Sequence, residues 1–322
     1  MTGSTSYPLV VLGEEDDPHI SAALDHLKSS ATHVSLERMV RDGWAITGSG
    51  GRRTLTIGAT DISFGARHVV WLRKFDVFRF ARHLSGWEHG WAVEEWRATV
   101  DGLVSMFEGC DFVDDPRDVL CAESKVRQLL QAESAGFDVP EWYVGADASR
   151  LPPDPLVMKR LSSRRVSLPP MMQPLTGRFP SHLAHTSEFD LGVNFVQRLI
   201  AGGQETRVVV AGDSVSAFVT ERDGYIDVRE QYDAHIWSAV ELPAEEVLRI
   251  LGLARTFSLT FCTMDFIREE HGTLWFLEIN PRGNYLWLEE SCGVAISSIV
   301  ASVLDDRVQA QTRCPLPIDS PN

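Results

Sequence analysis

The sequence predicts a mixed α/β (α+β) fold, and three observations lead there. The first is a β-α-β opening. "YPLVVLG" (7–13) is a short apolar run of strand type, "PHISAALDHLKSS" (18–30) has helical spacing, and "HVSLERM" (33–39) reads as a second strand. The second is a strand-rich stretch, 194–228, punctuated at "AGG", "AGD" and "RDG", which reads as an antiparallel meander. The third is "LTFCTMDFIREEHGTLWFLEINP" (259–281), a hairpin flanked by an amphipathic helix at 243–257 and a final helix at 289–308. A chain of 322 residues with 44% hydrophobic content can bury a sizeable core and divide into two or three subdomains.

Composition narrows the function classes. The formal net charge of −15 argues against non-specific nucleic-acid binding, which needs a basic footprint. No run approaches the roughly 18–20 apolar residues of a membrane span. Glu14, Glu15, Asp16 and Asp17 interrupt the one early apolar stretch, so no signal peptide is expected. The five cysteines are an odd number without a CxxC pair, which points to reduced thiols in a cytoplasmic protein.

The remaining elements follow in order. "GWAITGSGGRRTLTIG" (43–58) reads as a hairpin; its "GSGG" is a turn and not a phosphate loop, because no helix follows. "HVVWLRKF" (68–75) is a strand running into Arg73 and Lys74. Residues 86–107 read as a helix whose Trp87 and Trp91 share a face, expected as core or a subdomain seam, with a peptide-docking surface as the sharper alternative. In 114–144 a helix carrying Leu129 and Leu130 stops near Gly136, and Pro140 opens a strand. "DPLVMKRL" (154–161) is a strand ending in cations. The polar, Pro-rich 162–180 is a loop, either a lid or a surface excursion.

Chemistry concentrates in the last hairpin. "FLEINPRGNYLWLEE" (276–290) puts Glu278 and Asn280 two apart at the end of an apolar run, where charged groups rarely sit without partners. A two-residue turn with Glu269 facing Gly272 sets Asp265 opposite Phe276 and places Asp265, Glu278 and Asn280 on one face. Two carboxylates so close repel each other, and a hard divalent cation removes the conflict; Mg²⁺ prefers such oxygen ligands, and the absence of His and Cys disfavours zinc. The alternative is that the acids pair with arginines such as Arg268 or Arg282. Phosphate-binding cations are sought in Lys125 at a helix start, Lys159 at a strand end, Arg207 in "QETRVVV" and Arg229 in "DVRE".

This ordered set resembles the ATP-grasp superfamily from about residue 114 to residue 300: helix-borne Lys125, Lys159 in "VMKR", the hinge-like "VQRLI" (196–200), "ETR" and "EINPRG". Within it the chain is most similar to the ATP-grasp ligases of ω-ester and ω-amide peptides (graspetides, microviridin-type). "VVWLRKF" is similar to that group's Trp-x-Arg-Arg stretch, and "NPRGNYLWLEE" to its Asn-Pro-x-Gly-x-x-Leu-Trp-Leu/Ile-Glu. The segment 114–144 is similar to its Asn/Asp-Pro…Lys…Gly-Phe-x-Val-Pro. Ser124, Arg160, Lys74 and Asn284-Tyr285 depart from the commoner Asn, Pro, Arg and Gln-Trp; none removes a catalytic group.

The resemblance implies an N-terminal small α/β domain (1–113), a central lobe (114–200), a C-terminal antiparallel-sheet lobe with the metal site (201–312) and a tail (313–322). It implies that Lys125 and Lys159 hold ATP phosphates, and that the backbone of Gln197, Leu199 and Ile200 meets adenine. Glu205 takes the ribose hydroxyls, Arg207 the transferring phosphoryl group with Arg229 assisting, and Asp265, Glu278 and Asn280 hold Mg²⁺. The expected partner is an acidic ribosomal precursor peptide of leader and core, with a homodimer suggested. A carboxylate does not acylate a hydroxyl or amine unaided, so phosphorylation must first supply a leaving group while water is kept out. The activity the resemblance implies is ester or amide ring closure between side chains of the peptide. The alternatives are a ligase adding an amino acid to a protein or small molecule, and a non-catalytic nucleotide-binding module.

Overall fold

A computed structural model describes residues 7–49, 52–63, 67–153, 155–161, 176–179, 189, 192–222 and 236–313. The proposed lid loop 162–180, apart from 176–179, and Arg229 lie outside the described residues. The chain divides into two compact units, residues 1–116 with 295–322, and residues 117–294.

The first unit opens as β1 (Leu9–Leu12), α1 (Pro18–His26) and β2 (Ala31–Val34). The Asp17 carboxylate starts α1 by accepting the His19 N–H at 2.9 Å. The second strand ends earlier than the sequence reading placed it. Ser35 accepts the Arg38 N–H at 3.1 Å and so caps a short helix, α2 (Leu36–Asp42). The expected hairpin forms as β3 (Trp44–Ser49) and β4 (Arg52–Ile57), with Ser49 facing Arg52, and β5 (Thr60–Ser63) joins it. β6 (Val69–Leu72), α3 (Gly86–Ser105) and β7 (Asp111–Val113) follow. The main sheet has order β2-β1-β6-β7 and is parallel throughout. Every residue of β1 and β6 is buried, as a parallel strand covered on both faces requires.

Helix α3 corrects the core-or-seam expectation for its tryptophans. Trp87 and Trp91 are 77% and 61% exposed, while the helix buries Val93 and Leu103. Val93 is two residues on from Trp91, roughly half a turn round the helix. Trp96, further along the same helix, does pack inward, against Phe80 and Trp44 at ring-centroid separations of 4.7 and 6.4 Å.

The second unit begins with two helices where one was expected, α4 (Pro116–Ala122) and α5 (Lys125–Ser134), and α5 ends before Gly136 at φ +80°. Strands β8 (Trp142–Gly145), β9 (Leu156–Lys159), β10 (Thr176–Arg178) and β11 (Asn194–Arg198) form an antiparallel sheet of order β10-β9-β11-β8. A second antiparallel sheet has order β14-β13-β12-β15-β16. It is built from β12 (Gln204–Ala211), β13 (Ser214–Glu221), β14 (Ser238–Val240), β15 (Phe261–Arg268) and β16 (Leu274–Asn280), with α6 (Ala244–Thr256) between β14 and β15. The expected single meander is thus divided. "AGG" carries the chain from one sheet to the other, and Gly203 fits there because a Cβ would stand 2.5 Å from the Arg268 carbonyl oxygen. Phe195, Val208, Met264, Phe266, Phe276 and Ile250 share one core cluster.

The expected final helix is also two, α7 (Leu286–Cys292) and α8 (Ile296–Arg313), separated by Gly293 in the left-handed region at φ +69°. Helix α8, grouped by sequence with residues 201–312, belongs to the first unit. Its Asp305 carboxylate accepts the Lys28 and Ser29 N–H groups at 3.0 and 2.8 Å, just past the end of α1.

Candidate active site

The acids meet through a different register from the one read in the sequence. The loop is longer than two residues: Arg268 faces Leu274, and Phe266 faces Phe276. A β-bulge then shifts the pairing, so that Asp265 faces Glu278, Met264 faces Ile279 and Thr263 faces Asn280. Phe276 is fully buried in the core. Plain alternation would send Glu278 to that same core face, and the bulge re-aims it beside Asp265. The shared face was rightly expected; the pairing Asp265–Phe276 was not.

Arg207 on β12 lies directly opposite Asp265 on β15, which faces Glu278 on β16. The three side chains form one transverse row, and contacts run along it without interruption. Arg207 Nη1 donates to Asp265 Oδ1 at 2.8 Å. Asn280 Nδ2 stands 3.5 Å from Asp265 Oδ2 and 2.9 Å from Glu278 Oε1. Lys125 Nζ closes the row on Glu278 Oε2 at 2.5 Å. Asp265 is 7% exposed, so its charge needs these partners. Arg268, one of the arginines weighed as a partner for these acids, is instead bound to Glu246 at 2.6 Å.

Three groups missed by sequence reasoning hold Arg207. Nη2 donates to Thr263 Oγ1 at 3.2 Å and to the Asn284 carbonyl at 3.1 Å, and the guanidinium lies 5.9 Å from the Trp287 ring centroid. Thr263 was legible as the residue two before Asp265 on one strand face; a main-chain carbonyl leaves no trace in sequence. Gly283 permits this closure, since a Cβ there would fall 1.9 Å from Thr263 Oγ1.

The other candidate residues lie on neighbouring strands. Glu205 is two before Arg207 on β12 and shares its face. Lys159 faces Phe195, and Gln197 faces Val157, so these four share the sheet face that carries Phe195 into the common core. Gln197 is 1% exposed and its Nε2 has no hydrogen-bond partner. Past β11 the Leu199 N–H donates to the Pro155 carbonyl at 2.8 Å. The Ile200 carbonyl accepts from Arg222 Nη1 at 2.6 Å, and Arg222 was not foreseen.

Among the described residues no group of three or more His, Cys, Asp or Glu gathers. Two carboxylates and an amide do meet here, oxygen-bearing groups of the kind that could hold a hard cation such as Mg²⁺ and not zinc.

A four-stranded antiparallel sheet joined to a larger antiparallel sheet, with acid and amide on the last hairpin, defines the class: this chain has the ATP-grasp fold. No family model and no curated protein matches the sequence. Solved structures do. Macrocyclase MdnC from Microcystis aeruginosa MRC, bound with precursor peptide MdnA, is 19% identical with a TM-score of 0.76, covering 92% of this chain and 99% of that one. A RiPP-associated ATP-grasp ligase from Chryseobacterium gregarium, in complex with ADP and a leader and core peptide, is 19% identical with a TM-score of 0.76, covering 93% and 96%. The ATP-grasp ligase PsnB, complexed with minimal precursor, Mg and ADP, is 19% identical with a TM-score of 0.72, covering 96% and 99%.

Proposed function

We propose that this chain is an ATP-dependent peptide macrocyclase acting in the cytoplasm. It phosphorylates an Asp or Glu side chain of an acidic ribosomal precursor peptide and joins it to a Ser or Thr hydroxyl as an ester, or to a Lys amine as an amide. The observation that carries the reading is the row Arg207–Asp265–Asn280–Glu278–Lys125. It brings two carboxylates, an amide and two cations from distant parts of the chain into one continuous contact. The fold's likeness, over more than nine-tenths of the chain, to ligases bound with precursor peptides supports the peptide as substrate.

Mg²⁺-ATP supplies the phosphoryl group that turns a carboxylate oxygen into a leaving group. The chain's residues divide the rest. Asp265 and Glu278 would hold the cation through carboxylate oxygens, and Asn280, whose Nδ2 faces both acids here, would turn its amide oxygen to it. Lys125, at the first position of α5, and Lys159, at the end of β9, bind phosphate oxygens. A lysine at a helix N-terminus works against the helix dipole, a local cost that an anionic ligand reverses. The backbone of Gln197, Leu199 and Ile200 receives adenine, with the buried Gln197 amide nitrogen as a further donor. Glu205 takes the ribose. Arg207, already fixed by three oxygen acceptors, spreads charge on the transferring group, and Arg229 assists.

The test incubates the full chain and MgATP with acidic candidate peptides carrying Ser, Thr or Lys, followed by mass spectrometry. Loss of one water per link with matching ADP release is expected, and chelating Mg²⁺ stops both. ADP release without any cyclised peptide would count against the reading. Mass gain on an acceptor would replace it with an intermolecular ligase. Sedimentation checks the homodimer that accompanies the reading.

A further inference from the structure

Strand β16 is the outer strand of its sheet, so the groups on its free side need partners from elsewhere. One side chain serves the residue between the two proposed ligands of β16. Gln128 Oε1 accepts the Ile279 N–H at 3.1 Å, and Gln128 Nε2 donates to the Ile279 carbonyl at 2.8 Å. The same Nε2 donates to the Ala122 carbonyl at 2.6 Å, at the end of α4. Gln128 is 1% exposed. Its amide therefore imitates a missing neighbour strand at one residue, with Glu278 and Asn280 on either side. Gln128 also lies three residues after Lys125 on α5, on the same helix face. One rigid amide thus joins the helix that presents Lys125 to the strand that presents Glu278 and Asn280.

We infer that Gln128 is a positioning residue for the Mg²⁺-ATP site. It sets the position of Lys125 relative to Glu278 and holds Glu278 and Asn280 at the spacing one cation needs, without itself touching ligand. This rests on the proposed function. Side chains that orient metal ligands in this way typically change metal affinity or activity by about 10–100-fold when replaced.

The test measures ATP binding by calorimetry across a Mg²⁺ titration, on the full chain and on Gln128→Met, which keeps the volume and removes all three hydrogen bonds. The expected result is a rise of about 10-fold or more in the Mg²⁺ concentration giving half-maximal ATP binding, with heat capacity traces still showing a folded protein. Should the Met variant not fold, Gln128→Glu decides. It keeps the acceptor for the Ile279 N–H, but its carboxylate faces two carbonyl oxygens. Its Mg²⁺ requirement should be raised at pH 8 and fall back toward the parent's at pH 6, as the buried carboxyl protonates and donates again. A folded variant with the parent's Mg²⁺ dependence overturns the inference. Loss of folding in both variants overturns it too, since Gln128 would then serve the fold and not the site. If the parent chain itself binds no MgATP, the functional reading fails; if the parent binds and the variants match it, the role of Gln128 alone fails.

Discussion

Gly283→Ala should cripple the site while leaving most of the fold in place, and the size of the effect follows from three distances. A Cβ at 283 would stand 1.9 Å from Thr263 Oγ1, 2.5 Å from its Cγ2 and 2.7 Å from its Cβ. Restoring ordinary contact demands a separation about 1.5 Å greater than the first of these. Thr263 is fully buried on a central strand and cannot yield that much, so the turn after β16 must move. The Asn284 carbonyl, 3.1 Å from Arg207 Nη2, then leaves hydrogen-bond range. Overpacking of this kind costs about 1–3 kcal/mol of stability, and misplacing a group that positions the chemistry by about 1 Å costs roughly 100-fold in rate. The double variant Gly283→Ala with Thr263→Ala should recover part of the melting temperature, because it removes Oγ1 and Cγ2. It should not recover full activity, because Arg207 loses its 3.2 Å acceptor. Melting curves and ADP release with a cyclising peptide give both readouts. A Gly283→Ala protein with the parent's melting temperature and rate would refute the close approach, and a double variant no better than the single would refute its assignment to Thr263.

Glu278→Gln should abolish turnover and leave the protein folded, since it removes a proposed Mg²⁺ ligand and the anionic partner of Lys125 at 2.5 Å; an unimpaired rate would sink the metal assignment. Burial alone would raise the Asp17 carboxyl. The His19 hydrogen bond and the Arg73 charge outweigh it and hold that carboxyl far below its usual range. A depressed folded-state value contributes stability above the unfolded value, and that stability is lost as pH falls below about 4. The parent should therefore lose melting temperature between pH 5 and 2 more steeply than Asp17→Asn, and parallel acid titrations of the two would refute this. Trp91→Ala, at an exposed position, should change stability by no more than about 0.5 kcal/mol in urea unfolding; a larger loss would mean the side chain is covered in solution.

Local chemistry is what sequence reports. The β-α-β opening, the Ser49–Arg52 hairpin and the last hairpin were all legible, because each rests on hydrophobic periodicity and turn residues within some twenty positions. The residue types of the candidate site were legible too. Asp265, Glu278 and Asn280 stand out as polar groups in apolar strands, and the order of Lys125, Lys159 and Arg207 before them carries the resemblance. Trp87 and Trp91 show the limit: an i, i+4 aromatic pair marks a helix face but not which face is covered.

Only the tertiary structure decided how those residues meet. The bulge beside Asp265 lets Phe276 and Ile279, three apart on β16, both reach the core, and it alone turns Glu278 toward Asp265. The partners of the acids come from far away in the chain: Arg207 is 58 positions from Asp265, and Lys125 is 153 from Glu278. The sequence by itself determined that an acid, an amide and a set of cations were present. Which acid answers which cation was decided by sheet register and by the packing of α5 on an outer strand. Those are properties of contacts between distant segments, and no local pattern encodes them.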